Sequence, residues 1–197
     1  MYGTEKENHL GGYWAVKDPG TWGPEIWDKI ILDFNIKNVA DIGCGLGYST
    51  QYFLEKGLNV IGVEGGENAI KNTIFKGNLI QNDYTKSIAF KEDCHFQFDL
   101  IWCCEFVEHV EERYSINFLN DFKSAKYVAM TYASPGQDGY HHVNCQPQKY
   151  WINKLMEIGF QYDEEYSEML KNIAIQMTQS NYNHSGHLTR ILFFKKI

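Results

Sequence analysis

Short apolar runs alternate along the chain with stretches whose apolar positions recur every three or four residues. Residues 39–42, 59–63, 79–80, 98–104 and 127–131 read as buried strands. Between them, residues 48–56, 67–75 and 114–122 carry the helical period. A helix is also predicted over 24–34, with Pro24 in its first turn and Ile26, Trp27, Ile30 and Ile31 on one face. Another is predicted over 148–158, stopped by Gly159. Strands separated by helix-length segments pair in parallel through crossovers, which predicts a doubly wound α/β sheet. The tail departs from that rhythm. Residues 160–162 and 188–194 read as strands around a helical period over 165–177 and a polar loop over 180–186, so an antiparallel addition to the parallel sheet is expected.

No repeat, low-complexity tract or charge block divides the 197 residues, and one domain is expected, with residues 1–21 as an aromatic, glycine-punctuated arm and 22–197 as the core. The 25 acidic side chains outnumber the 18 basic ones, giving a formal charge of -7. Only Arg113 and Arg190 are arginines. That balance argues against DNA or an anionic membrane as a partner. Cys44, Cys94, Cys103, Cys104 and Cys145 are odd in number and lack CxxC spacing, which suits a reducing, cytoplasmic setting. No run approaches the ~20 apolar residues of a membrane span, and the charged start is unlike a signal peptide. The triplet Asn183-His184-Ser185 fits N-glycosylation, which a cytoplasmic chain never meets.

The chemistry begins at Asp41-Ile42-Gly43-Cys44-Gly45-Leu46-Gly47, which leaves the first strand and opens a helix. Gly43, Gly45 and Gly47 allow a tight turn and close approach of a ligand to the backbone. Glu64 follows about 20 residues on, at a strand end where a carboxylate can accept the hydroxyls of a ribose. A bare glycine turn is often only a turn; strand context and Glu64 together point to a nucleoside-containing cofactor. The tight spacing departs from the pyrophosphate fingerprint of a nicotinamide-dependent oxidoreductase, and Asp41 would repel phosphates while suiting an ammonium group. S-adenosylmethionine is the cofactor this favours.

From about Trp22 onward the chain resembles the class I S-adenosylmethionine-dependent methyltransferases. The likeness rests on VADIGCGLGYS, VIGVEGGENAI, the turn Gln81-Asn82-Asp83-Tyr84, and FDLIWCCEFVEHV. It implies a Rossmann-like, seven-stranded, mostly parallel sheet in the order 3-2-1-4-5-7-6 with the last strand antiparallel. It also implies that Asp41 sets the glycine turn and the amino-acid end of the cofactor, Glu64 the ribose and Asp83 the adenine amino group, with Tyr84 close to the ring and Glu105 bordering the cofactor.

Glu105-Phe106-Val107-Glu108-His109 falls at the carboxyl end of the fourth predicted strand, the edge where ligands of open α/β sheets sit. Two carboxylates and an imidazole at this spacing can hold a hard divalent cation or supply a base. The pattern is similar to methyltransferases that use magnesium or manganese to clamp a vicinal diol, including small RNA 2'-O-methyltransferases and ubiquinone-pathway O-methyltransferases. Such enzymes add a histidine from after the fifth strand, where His141 and His142 stand. The expected metal set is Glu105, Glu108, His109 and His142; the expected catalytic set is His109, Glu108, Glu105 and His141. Against this stand a metal-free His109 that contacts substrate, and a solvated helix start continued by Glu111 and Glu112.

A hydroxyl nucleophile needs its proton removed, so the group favours O-methylation of a small acceptor. A sugar or glycan hydroxyl is expected first, since GYHHVNCQPQKYWINKLMEIGF resembles methyltransferase domains fused to or working beside glycan-assembly enzymes. A phenolic or quinone-pathway molecule comes next, then an RNA terminal ribose. A non-catalytic cofactor-binding partner subunit would keep the glycine turn and need none of the Glu-Glu-His group. Tyr13, Trp14 and Trp22 suit either a wall over the cofactor or an arm packed on its own domain, and residues 181–187 a surface loop or a substrate lid.

Overall fold

The computed structural model of the chain describes residues 3–90, 98–180 and 186–197. Cys94, the triplet over 183–185 and most of the polar loop lie outside the described residues. The elements in chain order are α1 (Pro24–Phe34), β1 (Asn38–Ile42), α2 (Tyr48–Glu55), β2 (Asn59–Glu64), α3 (Glu67–Lys71), β3 (Asn78–Gln81), β4 (Phe98–Cys103), α4 (Ser115–Phe122), β5 (Ala125–Met130), α5 (Gln148–Glu157), β6 (Phe160–Tyr162), α6 (Glu164–Ser180) and β7 (Leu192–Lys196). They form one seven-stranded sheet in the order β3-β2-β1-β4-β5-β7-β6, with β7 antiparallel to both neighbours. This is the Rossmann-like methyltransferase topology, as the resemblance implied.

Strands flanked by helices on both faces must be apolar on both sides, and β4 is buried at every position. One face packs α1, α2 and α6 around Trp27, Phe53, Trp102 and Phe193; the other packs α4 and α5 around Phe118, Phe122 and Trp151. Trp27 anchors the first core. Its ring meets Trp22, Tyr52, Phe53 and Trp102 at centroid distances of 5.0, 5.0, 5.6 and 5.9 Å.

Two predicted elements differ. Helix α3 stops at Lys71 instead of running to 75, because the next residues are tied to the glycine turn: Ile74 N–H and the Thr73 hydroxyl both donate to the Leu46 carbonyl, at 2.9 and 3.0 Å. The expected strand over 188–194 begins only at Leu192, preceded by a 3-10 turn over Gly186–Arg190. Leu188 and Ile191 are buried like strand residues, but against the α1–α6 side, so the apolar run concealed a change of conformation.

Chain order reverses between β1 and β4, and the crevice outside the carboxyl ends of these strands is where such sheets bind ligands. The amino-terminal arm crosses it. Gly3 and Tyr13 pair through a 2.7 Å backbone bond, and Glu5 accepts the Ala69 N–H of α3 at 3.0 Å. Among the described residues no helix is long and apolar enough to cross a membrane.

Trp27→Ala is expected to cost about 3–5 kcal/mol of stability, the usual range for emptying a buried aromatic site. Urea unfolding checks it, and a loss under 1 kcal/mol would mean that the α1 face is not the core described.

Candidate functional site

Gly43, Gly45 and Gly47 adopt φ of +74°, +54° and +80°, the left-handed region that side chains rarely enter. A Cβ on Gly43 would also stand 2.4 Å from the Phe106 ring. The turn is clamped from the next strand. The Glu64 carboxylate accepts N–H bonds from Gly45 at 2.9 Å, Gly65 at 2.9 Å and Gly66 at 2.8 Å, while Gly43 and Cys44 N–H reach the Val63 carbonyl. Burial raises the Glu64 pKa despite those three bonds. The carboxylate read from sequence as a ribose acceptor thus also holds the turn. Asp41 similarly accepts the Ser49 and Thr50 hydroxyls, each at 2.7 Å, joining β1 to α2. Its carboxyl is pushed up to about 6 by burial.

Two adjoining cavities of about 170 and 90 Å³ lie over this turn. They share Gly12, Tyr13, Gly43, Gly45, Glu105 and His109. Each is below the ~300 Å³ of an ordinary ligand pocket, and the two adjoin beneath the arm. The smaller cavity reaches Asp83 and Tyr84; the larger reaches Asp41, Trp22, His142 and His187. Asp83 is held by its own turn through the Thr85 N–H and hydroxyl, at 2.9 and 2.7 Å, by Lys86 at 2.8 Å, and by His9 of the arm at 3.1 Å. Burial opposes ionisation there, yet these partners hold its carboxyl far below the ordinary range. Tyr84 is buried, with its hydroxyl donating to Asp121 at 2.7 Å and its ring against Phe106 and Phe118. It braces the cavity wall from the core.

The Glu105–His109 run divides into two groups. Glu105 stands at φ +49°, an uncommon conformation for a residue with a side chain, and this turns it away from the others. Its carboxylate accepts the Thr131 hydroxyl at 2.7 Å, His187 Nδ1 at 2.9 Å and Arg190 Nη2 at 3.2 Å. Burial would raise its pKa, but His187 and Arg190 outweigh burial and lower it.

Glu108, on the 3-10 turn Val107–His109, is fully buried, and among the described residues neither carboxylate oxygen has a hydrogen-bond partner. Burial, then the charge of Glu105, pushes its carboxyl well above the ordinary range. An uncompensated buried carboxylate is costly enough to need an explanation. His109 Nδ1 is likewise unpartnered, while the ring bonds the Tyr140 backbone carbonyl. Its pKa is lowered to about 4 by burial and the neighbouring His142, so it is a neutral lone-pair donor near pH 7. His142 Nδ1 faces the Gln137 carbonyl at 3.1 Å, leaving Nε2 for a ligand. One ligand atom each from Glu108, His109 and His142 lie within 4.8 Å of one another. One hard oxygen and two imidazoles, each imidazole oriented by a backbone carbonyl, fit a divalent cation.

Glu105 is not in that group, and His141 is not either. His141, at φ +51°, faces the arm, 6.4 Å from the His9 ring, while His142 turns to within 5.1 Å of the His109 ring. Adjacent residues point oppositely, so only one of the pair enters. Sequence reading passed over His187 and Arg190 as site residues. The scarcity of arginine was the one available signal for the latter.

Residues 40–117 match a family model described as a methyltransferase domain. A curated relative, the ubiquinone biosynthesis O-methyltransferase of Pseudomonas aeruginosa (strain UCBPP-PA14), is 33% identical over 84 residues, 41% of this chain and 36% of its own. The matches span between about a third and a half of the length of the curated relatives. Among solved structures, a SAM dependent methyltransferase from Archaeoglobus fulgidus aligns with a TM-score of 0.57 at 21% identity, covering 87% of this chain and 91% of that one. The magnesium protoporphyrin IX methyltransferase of Synechocystis PCC 6803 with bound SAM gives 0.60 at 15%, covering 88% and 77%. At these identities the structural likeness establishes the fold.

Two outcomes follow from the turn. Gly43→Ala, which adds a Cβ where φ is positive and Phe106 intrudes, is expected to weaken S-adenosylhomocysteine binding ~5–30-fold, the cost of roughly 1–2 kcal/mol of left-handed strain. Titration calorimetry measures it, and unchanged affinity would separate the turn from the cofactor. Because the folded pKa of Asp41, about 6, exceeds the ordinary 3.8, the folded state retains a proton that the unfolded chain has lost, and stability falls as pH rises from about 4 to 6. Asp41→Asn keeps an acceptor for Ser49 and Thr50 and is expected to flatten that fall by ~2–3 kcal/mol. Urea unfolding at the two ends of the window tests this; equal slopes for both proteins would refute it.

Proposed function

Because residues 40–117 carry the methyltransferase-domain pattern on a class I methyltransferase fold, we propose that the chain is an S-adenosylmethionine-dependent O-methyltransferase acting on a small acceptor with vicinal hydroxyls. The observation that carries this is the convergence of the buried, unpartnered Glu108 carboxylate with His109 and His142, which line the cavity over the glycine turn. Methyl transfer from a sulfonium is an in-line displacement, so alignment and exclusion of water do most of the work. The glycine turn, held by Glu64, seats the cofactor; Tyr13 and Gly12 of the arm cover it. A magnesium or manganese ion held by Glu108, His109 and His142 would supply Lewis acidity that lowers the pKa of an acceptor hydroxyl. His109 and His142 keep their ligand nitrogens bare because their other nitrogens face backbone carbonyls.

The names of the curated relatives support a phenolic or quinone-pathway acceptor over the glycan hydroxyl expected from sequence. A planar aromatic diol also suits a cavity walled by Tyr13, Trp14 and Trp22. A glycan-assembly partner has no support beyond the sequence likeness.

The test is transfer of labelled methyl to 3,4-dihydroxybenzoate, with S-adenosylhomocysteine binding measured alongside. Activity is expected to fall in chelator and return with magnesium or manganese, and Glu108→Gln is expected to lose ~10–100-fold in metal affinity. Full turnover in excess chelator would discard the cation. Cofactor binding without transfer to any hydroxyl acceptor would leave a non-catalytic binding subunit.

A further inference from the structure

The second polar group in the cleft, on the other side of Glu105, is not absorbed by a cation site. His187 is presented by the 3-10 turn Gly186–Arg190 immediately before β7. That strand runs antiparallel to β5, with Leu192 opposite Met130, so its leading turn arrives at the same edge as the carboxyl ends of β4 and β5. His187 lines the larger cavity together with Glu105, Asp41 and His109. Its Nδ1 stands 2.9 Å from Glu105 Oε2, and its backbone N–H is pinned to the Gly20 carbonyl at 3.0 Å. Nε2 meets no hydrogen-bond partner among the described residues. A Cβ on Gly20 would come within 2.8 Å of that nitrogen, so the arm lies against this edge of the ring with no side chain of its own at that point.

The carboxylate behind the imidazole is itself braced. Arg190 Nε donates to the Tyr132 carbonyl at 2.9 Å and its Nη2 to Glu105, while the Thr131 hydroxyl closes the far side. A carboxylate fixed to one nitrogen of a histidine that lines a cavity orients the ring and stabilises its protonated form. The strained backbone at Glu105 is what aims the carboxylate there.

We infer that His187, oriented by Glu105, is the general base that removes the acceptor's hydroxyl proton. This rests on the O-methyltransferase reading above and assigns the proton a destination outside the Glu108–His109–His142 group. In the step, the acceptor O–H bond breaks and its proton passes to His187 Nε2 as the O–CH3 bond forms. The carbon–sulfur bond breaks with its electron pair going to sulfur, leaving S-adenosylhomocysteine, and the imidazolium then returns its proton to water. The charged groups facing His187 are Glu105 from the end of β4, Arg190 on its own turn and Asp18 of the arm; the Glu105 bond dominates and raises its pKa.

The experiment has two arms on the full chain. With 3,4-dihydroxybenzoate and labelled S-adenosylmethionine, His187→Gln is expected to lower kcat ~10²-fold or more and to lose the rising limb of the pH profile, the usual contribution of a positioned base. Its affinity for S-adenosylhomocysteine is expected to stay within about threefold, which also reports that the variant folds. Independently of any acceptor, nitrogen NMR of labelled histidines is expected to show His187 protonated at Nδ1, with a titration midpoint that drops by about half a pH unit or more in Glu105→Gln. A parent protein that fails to bind S-adenosylhomocysteine overturns the methyltransferase reading and this one with it. Cofactor binding with a His187 midpoint unmoved in Glu105→Gln, or with kcat and pH profile retained in His187→Gln, overturns the base alone.

Discussion

A single carboxylate, Glu64, ties together the two loops on which the cleft is built. Three backbone N–H groups converge on it, one from the turn after β1 and two from the turn after β2. Without that clamp, consecutive glycines at positive φ would have no reason to hold one conformation, because glycine loses more backbone freedom on ordering than any other residue. Asp41 repeats the device one strand over, anchoring the start of α2 through two hydroxyls. Both acids are buried and raised in pKa, so the cleft floor is rigid at the expense of stability near neutral pH.

On that floor, a run of five residues delivers two different chemistries. The left-handed backbone at Glu105 sends its carboxylate toward Thr131, His187 and Arg190, whereas the 3-10 turn that follows carries Glu108 and His109 toward His142. In one group Glu105 is paired by three neighbours; in the other the Glu108 carboxylate and His109 Nδ1 have no hydrogen-bond partner among the described residues, which suits a cation. Like charges so close would otherwise repel, and their fates separate because His187, then Arg190, favour the ionised Glu105 while burial favours the protonated Glu108.

The matched family region ends at residue 117. It contains the glycine turn, Glu64, Asp83 and the Glu105–His109 run, but not His142, His187, Arg190 or the arm. That region, about two-fifths of the chain, supplies the glycine turn, while the larger cavity over the turn is lined equally by residues outside it, from the arm, α1, residues 137–142 and His187. Fold is shared widely, while specificity resides in the segments grafted onto it.

The periodicity of the chain was enough for the parallel sheet, since apolar runs buried on both faces and helix-length crossovers admit few topologies. The glycine turn and the acids that serve it were legible because they are local in sequence. Tertiary structure alone decided which histidine of His141-His142 enters the cleft, that Glu105 leaves the Glu-Glu-His group, and that His187 joins it from 82 positions away. Each of these depends on one backbone rotation or one antiparallel strand returning to the same sheet edge, and neither leaves a mark on the pattern of apolar and polar residues.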